Sequence, residues 1–388
     1  MKQYSSLFFL IIILILTFFM IINPDATVEA ALDGLKLWGL VVVPALLPFF
    51  IAAELLFSLG LVNILGILME PVMQPLFRLP GCSALVVAMG FTSGFPVGAL
   101  LSRKLYDEKL LTAEETERLA SFTNNSSPLF IIGAVGIGMF ASREIGFLLA
   151  FSHYLANLLV GILWRSRAVT KAIRPARGNS QRAASLELLK VKWRNLDIGT
   201  ILSEAVKNGI NNILAIGGFI LLFSVITRML ALWGIMGLLA KFIQLLLFFL
   251  DISWQGAYGA AMGFFEMTIG TKTIAAADTN LSSQLAAVSI VLAFSGLSVI
   301  AQIMSIFAGT PARLSFYLSS RLLQMIFSCV ITLLGYKYWL SSHVTLPVLT
   351  IEPYKFLYSF DALGIASFSI LSCFLLLGLF IMTAAIKH

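Results

Sequence analysis

The two halves of this chain carry the same interrupted apolar pattern. Ala88-Met89-Gly90-Phe91 returns as Ala261-Met262-Gly263-Phe264. Downstream of each copy an apolar run breaks, first at Phe122-Thr123-Asn124-Asn125-Ser126-Ser127-Pro128 and then at Phe294-Ser295-Gly296-Leu297-Ser298. Hydrocarbon offers no hydrogen-bond partner to a backbone N–H or C=O, so non-helical backbone persists at membrane depth only where protein or a water-lined cavity surrounds it. Matched interruptions in two halves therefore point to a helical membrane bundle with a polar interior, the sequence pattern of a carrier's binding region.

The composition agrees. With 59% hydrophobic and only 12% charged residues over 388 positions, and a mean hydropathy of +0.95, there is too little polar side chain to cover a soluble globule. Runs near 7–22, 35–58, 127–140, 146–164, 210–232, 284–308, 314–335 and 362–386 approach or meet the length of a span. The expected fold is an all-α polytopic membrane protein of about 8 transmembrane helices. Cys82, Cys329 and Cys373 are dispersed and form no C-x-x-C pair, so neither a disulfide framework nor a zinc site is indicated. The net charge of +7 is concentrated in one polar connector, at Arg165, Arg167, Lys171, Arg174, Arg177, Arg182, Lys190, Lys192 and Arg194. Beside membrane spans this is a positive-inside signal with added attraction for anionic lipid, and it gives no reason to expect nucleic acid. The N-terminal run reads either as a retained first helix or as a cleaved signal peptide; its length favours the helix.

Placing the connector in the cytoplasm sets the topology. Residues 1–30 form an N-terminal helix, 31–165 a first repeat, 166–204 the connector, 205–336 a second repeat, and 337–388 an external loop with a last helix. In each repeat a span leads to an interfacial segment (61–79 and 235–250), a re-entrant hairpin (84–102 and 256–277), a broken helix and a returning span. Thr112 with Glu115 is a capping-box start for the first broken helix. Because one repeat starts outside and the other inside, the expected architecture is two inverted-topology repeats with re-entrant hairpins and broken helices.

The chemistry is expected at the breaks. The first hairpin tip offers Thr92, Ser93 and Gly94; the second offers Glu266, Thr268 and Lys272; the broken helices add Asn124, Asn125, Ser126 and Ser127, then Ser295, Ser298 and Gln302. Asn124/Ser127 and Ser295/Ser298 are i, i+3 pairs that share a helix face and can donate or accept hydrogen bonds. Structural readings stand beside these. Gly90, Gly94 and Gly98 also fit close helix packing, Asn124 to Pro128 also fits a kink, and Glu266 can pair with Lys272, although a carboxylate inside an apolar run points to function. His153 and Arg321 follow the two breaks at corresponding places, and Glu114, Glu115, Glu117 and Arg118 read as a solvated or interfacial face. No H-E-x-x-H, G-x-S-x-G or P-loop occurs, so no enzyme activity, metal or cofactor is expected.

Ser93-Gly94-Phe95-Pro96-Val97-Gly98-Ala99, Glu117-Arg118-Leu119 and Phe122 through Phe130 resemble the nucleoside-recognition (gate) domain family and, within it, the sporulation integral membrane proteins of the YlbJ type. Spore maturation proteins A and B are similar at a greater distance, and the concentrative nucleoside transporters share the plan of hairpins, broken helices and inverted repeats. The resemblance implies a multi-pass protein of the mother cell's outer forespore membrane that moves dipicolinic acid toward the spore. In nucleoside carriers the tips and breaks hold base and ribose; here the matching positions are Thr92, Ser93, Gly94, Glu266, Asn124/Ser127 and Ser295/Ser298. The first tip lacks the acidic residue expected of a nucleoside carrier, which suits an anionic ligand better, with Lys272 as its counter-charge. The alternatives are a nucleoside-type carrier and a non-transporting sporulation scaffold. The coupling ion, proton or sodium, and a homo-oligomeric or sporulation membrane partner stay open.

Overall fold

The computed structural model describes residues 2–167 and 197–340, and these are helical with no strand. The connector beyond 167 and the last helix expected near 362–386 lie outside the described residues. The first half runs α1 (Lys2–Ile22), α2 (Pro24–Leu37), a π-helical turn (Trp38–Val42), α3 (Val43–Ser58) and α4 (Leu61–Phe77). A hairpin of α5 (Ser83–Ser93) and α6 (Val97–Asp107) follows, then a broken helix made of α7 (Ala113–Thr123) and a π-helical segment (Leu129–Met139), and α8 (Arg143–Trp164). The second half repeats the order: α9 (Ile198–Leu232), α10 (Ile235–Leu246), a hairpin of α11 (Trp254–Phe265) and α12 (Met267–Ala275), a broken helix of α13 (Leu281–Phe294) and α14 (Gly296–Ile306), and α15 (Leu314–Gly335).

The repeat extends to the backbone. Left-handed residues stand at the same junctions in both halves: Gly60 and Gly234 before the short fourth and tenth helices, Arg78 and Asp251 at or just beyond their ends, Ala141 and Gly309 before the returning spans. Glycine takes this conformation without strain, whereas a residue with a Cβ is held there by its surroundings. Around Arg78 that support is visible: Arg118 donates to the carbonyls of Phe77 and Arg78, satisfying the end of α4.

Four helices of the described residues are long and apolar enough to span a membrane: Arg143–Arg167, Ile198–Leu232, Leu281–Ile306 and Leu314–Leu340. The pair Leu10–Ile22 and Pro24–Leu40, bent by 106°, makes a fifth if counted as one. The eight spans expected from hydropathy are thus not reproduced among these residues, because the 127–140 run is half of a broken helix and the 35–58 run continues from α2 through a π turn. The outer helix α1 exposes Leu10 to Ile15 and is pinned through Phe19, buried edge-on against Trp233 at 5.7 Å.

The charged stretch after Thr112 is also corrected. Glu115, Glu117 and Arg118 are buried rather than solvated. Burial of charge demands partners, and they are present: Arg118 on the α4 carbonyls, Glu117 in a fork with Arg313 (Nη2 to Oε2 2.6 Å) and Glu115 in the capping box. In that box the Glu115 amide donates to Thr112 Oγ1 at 3.2 Å and Glu115 Oε2 accepts from the Thr112 amide at 2.8 Å. Thr112→Ala is expected to cost about 1 kcal/mol, read as a lower Tm in detergent, with Thr112→Ser close to wild type.

Candidate functional site

Each hairpin tip packs on the break of its own repeat. A Cβ on Gly94 would lie 2.9 Å from the Ser127 nitrogen, and Cβ atoms on Gly90 and Gly98 would fall 2.2 and 2.5 Å from the Thr123 oxygen. Both arms of the first hairpin therefore close on the last turn of α7. In the second half a Cβ on Gly296 would meet Phe265 O at 3.0 Å and Met267 N at 3.2 Å. The packing reading of the glycines thus holds, and it is what brings tip and break together.

Between the two tip-and-break units lies a cavity of about 110 Å³. Its polar wall is Ser93 and Gly94 from the first tip, Ser126 and Ser127 from the first break, Glu266 and Thr268 from the second tip, and Ser298 and Gln302 from α14. Leu37, Val42 and Leu46 close it from the π-turn side and Ile216 and Ile220 from α9. The volume exceeds that of a single water yet falls below the roughly 300–1,000 Å³ of drug-sized pockets. Glu266 is buried, extended between α11 and α12, and its Oε2 accepts from the Ile269 amide at 2.8 Å, capping α12. Among the described residues it is the only acidic or basic side chain in the lining. Ser93 Oγ is buried with no hydrogen-bond partner among the described residues.

The residues expected to read a ligand therefore divide. Ser93, Gly94, Ser127, Glu266, Thr268 and Ser298 share the cavity, whereas Thr92, Asn124, Asn125, Ser295 and Lys272 do not. Thr92 donates back to Ala88 O at 2.9 Å. Asn124 bridges the hairpin to its neighbour: Oδ1 accepts from the Ala99 amide at 2.8 Å and Nδ2 donates to Ala120 O at 2.8 Å. Asn125 Oδ1 accepts from Asn157. Ser295 is left-handed (φ 72°) and donates to Phe294 O at 2.5 Å. No Glu266–Lys272 ion pair forms: the carboxylate caps α12, and Lys272 lines a separate chamber. The i, i+3 pairs are divided likewise, with one member in the backbone scaffold and the serine in the cavity.

Sequence reasoning gave His153 and Arg321 no firm part and passed over Tyr154 and Asn157. These side chains satisfy the first break. Arg321, fully buried, donates to Asn124 O at 3.1 Å, to Ser121 O and to Asn157 Oδ1 at 3.3 Å. Its charge sits at the C-terminal carbonyls of α7, where the helix dipole is negative. The Ser126 amide donates to His153 Nε2 at 3.2 Å and the Tyr154 hydroxyl donates to Ser126 O at 2.9 Å. The signal was a helical polar spacing inside apolar runs: His153 with Asn157, and Ser320, Gln324, Ser328 and Thr332 at intervals of four.

Helix α9 measures depth through the bundle. Ile216 and Ile220 face the cavity. Earlier on α9, Asn208, Asn211 and Asn212 line a recess with Glu54, Arg103, Lys104 and Asp107. That end is tied shut: Lys104 Nζ lies 2.6 Å from Glu54 Oε2, and Arg103 Nη1 donates to Ala308 O at 2.8 Å and Ile306 O at 3.2 Å. Later on α9, Ser224, Thr227, Arg228 and Ala231 line a chamber of about 1070 Å³ that shares Leu37 and Thr268 with the cavity. The cavity thus borders a large chamber on one side, and an ion-paired recess lies earlier along α9.

Comparison with known proteins follows this geometry. The Gate family, described as nucleoside recognition, matches residues 39–164, which includes the first tip and break. The sporulation integral membrane protein YlbJ of Bacillus subtilis is 39% identical over 335 residues, 84% of this chain and 81% of that one. An uncharacterized protein of Alkalihalophilus pseudofirmus is 32% identical over 123 residues, 30% of this chain and 26% of that one. No solved structure matches. With the first tip and break inside the matched Gate region and 39% identity to YlbJ over 84% of its length, the chain belongs to the family of YlbJ-type integral membrane proteins with a nucleoside-recognition Gate domain.

Proposed function

We propose that this protein is a carrier, not an enzyme, that moves a small organic anion across the outer forespore membrane of a sporulating cell by alternating access, with dipicolinic acid as the substrate. The observation that carries the reading is the single cavity walled by both tips and both broken helices. The sporulation setting comes from the relative's name. The repeated order of elements and matched left-handed junctions support two repeated halves, which alternating access would use in opposite orientation.

The charge of the cavity sets the coupling. A dicarboxylate beside the Glu266 carboxylate, with no cation in the lining, places like charges together in a low dielectric. Such a substrate enters with a proton on Glu266, whose carboxylic acid then donates a hydrogen bond to it; Ser93, Ser127, Thr268 and Ser298 supply further hydroxyl donors. A nucleoside-type substrate is the second reading, favoured by the Gate match and by a carboxylate able to accept from sugar hydroxyls.

Uptake of labelled dipicolinate and of uridine into proteoliposomes tests this. Saturable dipicolinate uptake, stimulated by an inward proton gradient, is expected, and Glu266→Gln is expected to abolish the stimulation while the protein still elutes as a folded species. Uridine uptake alone would establish the nucleoside reading. No uptake of either solute under proton or sodium gradients, from folded protein, would point to a scaffold or to a carrier that needs an obligate partner.

A further inference from the structure

The large chamber beside the cavity has its own chemistry. Its walls are α2, the late turns of α9 and both arms of the second hairpin. Four charged residues line it: Glu29, Asp33, Arg228 and Lys272. Three of them are compensated. Arg228 Nη2 lies 2.9 Å from Glu29 Oε2, and Asp33 Oδ1 lies 3.8 Å from Lys36 Nζ. Lys272 is exposed and has no ion pair among the described residues, so it is the lining cation left without a carboxylate in contact. The cavity one step inward is lined by one acidic side chain, Glu266.

The surroundings of Lys272 add shape. Trp254 and Tyr258, one helical turn apart on α11, line the same chamber and offer flat aromatic surface. Gln255 lines it as well; its Oε1 accepts from the Asp278 amide at 3.1 Å, which leaves the amide NH₂ as a donor. Thr268, one turn before Lys272 on α12, belongs to chamber and cavity alike. Four helical residues rise about 6 Å, a distance a lysine side chain covers. An ammonium, an amide donor and two aromatic faces along one route are the set of groups that selects a planar aromatic carboxylate over a neutral ring.

From this geometry we infer a second binding site, an antechamber centred on Lys272, Trp254 and Tyr258, that captures an aromatic carboxylate before it passes Leu37 and Thr268 into the cavity. The inference rests on the carrier reading for its direction, though binding is measurable without transport. The two chambers divide the work: the outer selects for negative charge, and the inner admits that charge only with a proton.

Calorimetric titration of the purified full chain in nanodiscs of zwitterionic lipid tests it, with dipicolinate and benzoate as probes and nicotinamide as the uncharged control. Dipicolinate and benzoate are expected to bind and nicotinamide not. Lys272→Gln is expected to weaken binding by about tenfold or more, the scale of a lost charge-assisted hydrogen bond, and Lys272→Arg to restore most of it. Uptake is measured separately on the same preparations: binding that depends on Lys272 without any uptake by the wild type would remove the carrier reading and keep the antechamber, whereas uptake with binding indifferent to Lys272 would do the reverse. Equal binding by wild type and Lys272→Gln would overturn the site, as would equal binding of nicotinamide. Displacement of dipicolinate from the wild type by phosphatidylglycerol added to the discs would assign the chamber to a lipid headgroup and overturn it too.

Discussion

Arg321→Met is expected to destabilise the protein by about 3–5 kcal/mol, the cost of leaving buried polar groups without their charged partner. The side chain is fully buried in α15 and reaches into the other half to hold Ser121 O, Asn124 O and Asn157 Oδ1. Methionine fills similar space but donates nothing, so two buried backbone carbonyls and a buried amide oxygen at the break lose their charged donor. Arg321→Lys keeps the charge and loses the planar fork, so it is expected to recover only part of the loss. The measurement is the temperature at which the detergent-solubilised protein loses its monodisperse elution peak. A Tm within about 2 °C of wild type for Arg321→Met would show that the break is held without it.

Gly270→Ala is expected to cost about 3 kcal/mol, at the upper end of overpacking effects, and to remove uptake. A Cβ there would lie 2.2 Å from Gly263 Cα and 2.3 Å from Gly263 N. Both are backbone atoms, so no rotamer relieves the clash; the arms of the second hairpin must part, and Glu266 at their tip moves with them. Gly218→Ala is the matched control, because nothing lies within 4 Å of the added carbon. Alanine in a helix interior is better than glycine by roughly 0.5–1 kcal/mol, so that variant is expected to match or exceed wild-type stability. If the two substitutions behave alike, the close approach of the hairpin arms is not what holds the second tip.

The positions of hairpins and breaks were legible because glycine, proline and clustered polar residues are conspicuous inside apolar runs. The Thr112–Glu115 cap was legible because its partners are three residues apart. What could not be read was where each polar group points. Asn124 and Ser127 share a helix-like spacing, yet one bonds the Ala99 amide and the other faces the cavity, a choice made by a hairpin that arrives from elsewhere. Glu117 and Arg118 look solvated in sequence because burial of charge is set by distant partners: Arg313 lies 196 positions from Glu117, and the carbonyl Arg118 meets belongs to Phe77, 41 positions away. Proximity in sequence allowed Lys272 to pair with Glu266, but Glu266 caps α12 and Lys272 lines the neighbouring chamber.

The wiring of the first break also has a consequence in time. Ser121 waits for a guanidinium 200 residues further along the chain. At the roughly 5–20 residues per second of synthesis, about 10–40 s pass between the appearance of the break and that of its partner. During that interval the N-terminal half holds carbonyls that hydrocarbon cannot satisfy, so the nascent chain must keep this segment in the insertion machinery or at the wet face of the bilayer. Completion of the first half therefore waits until α15 arrives.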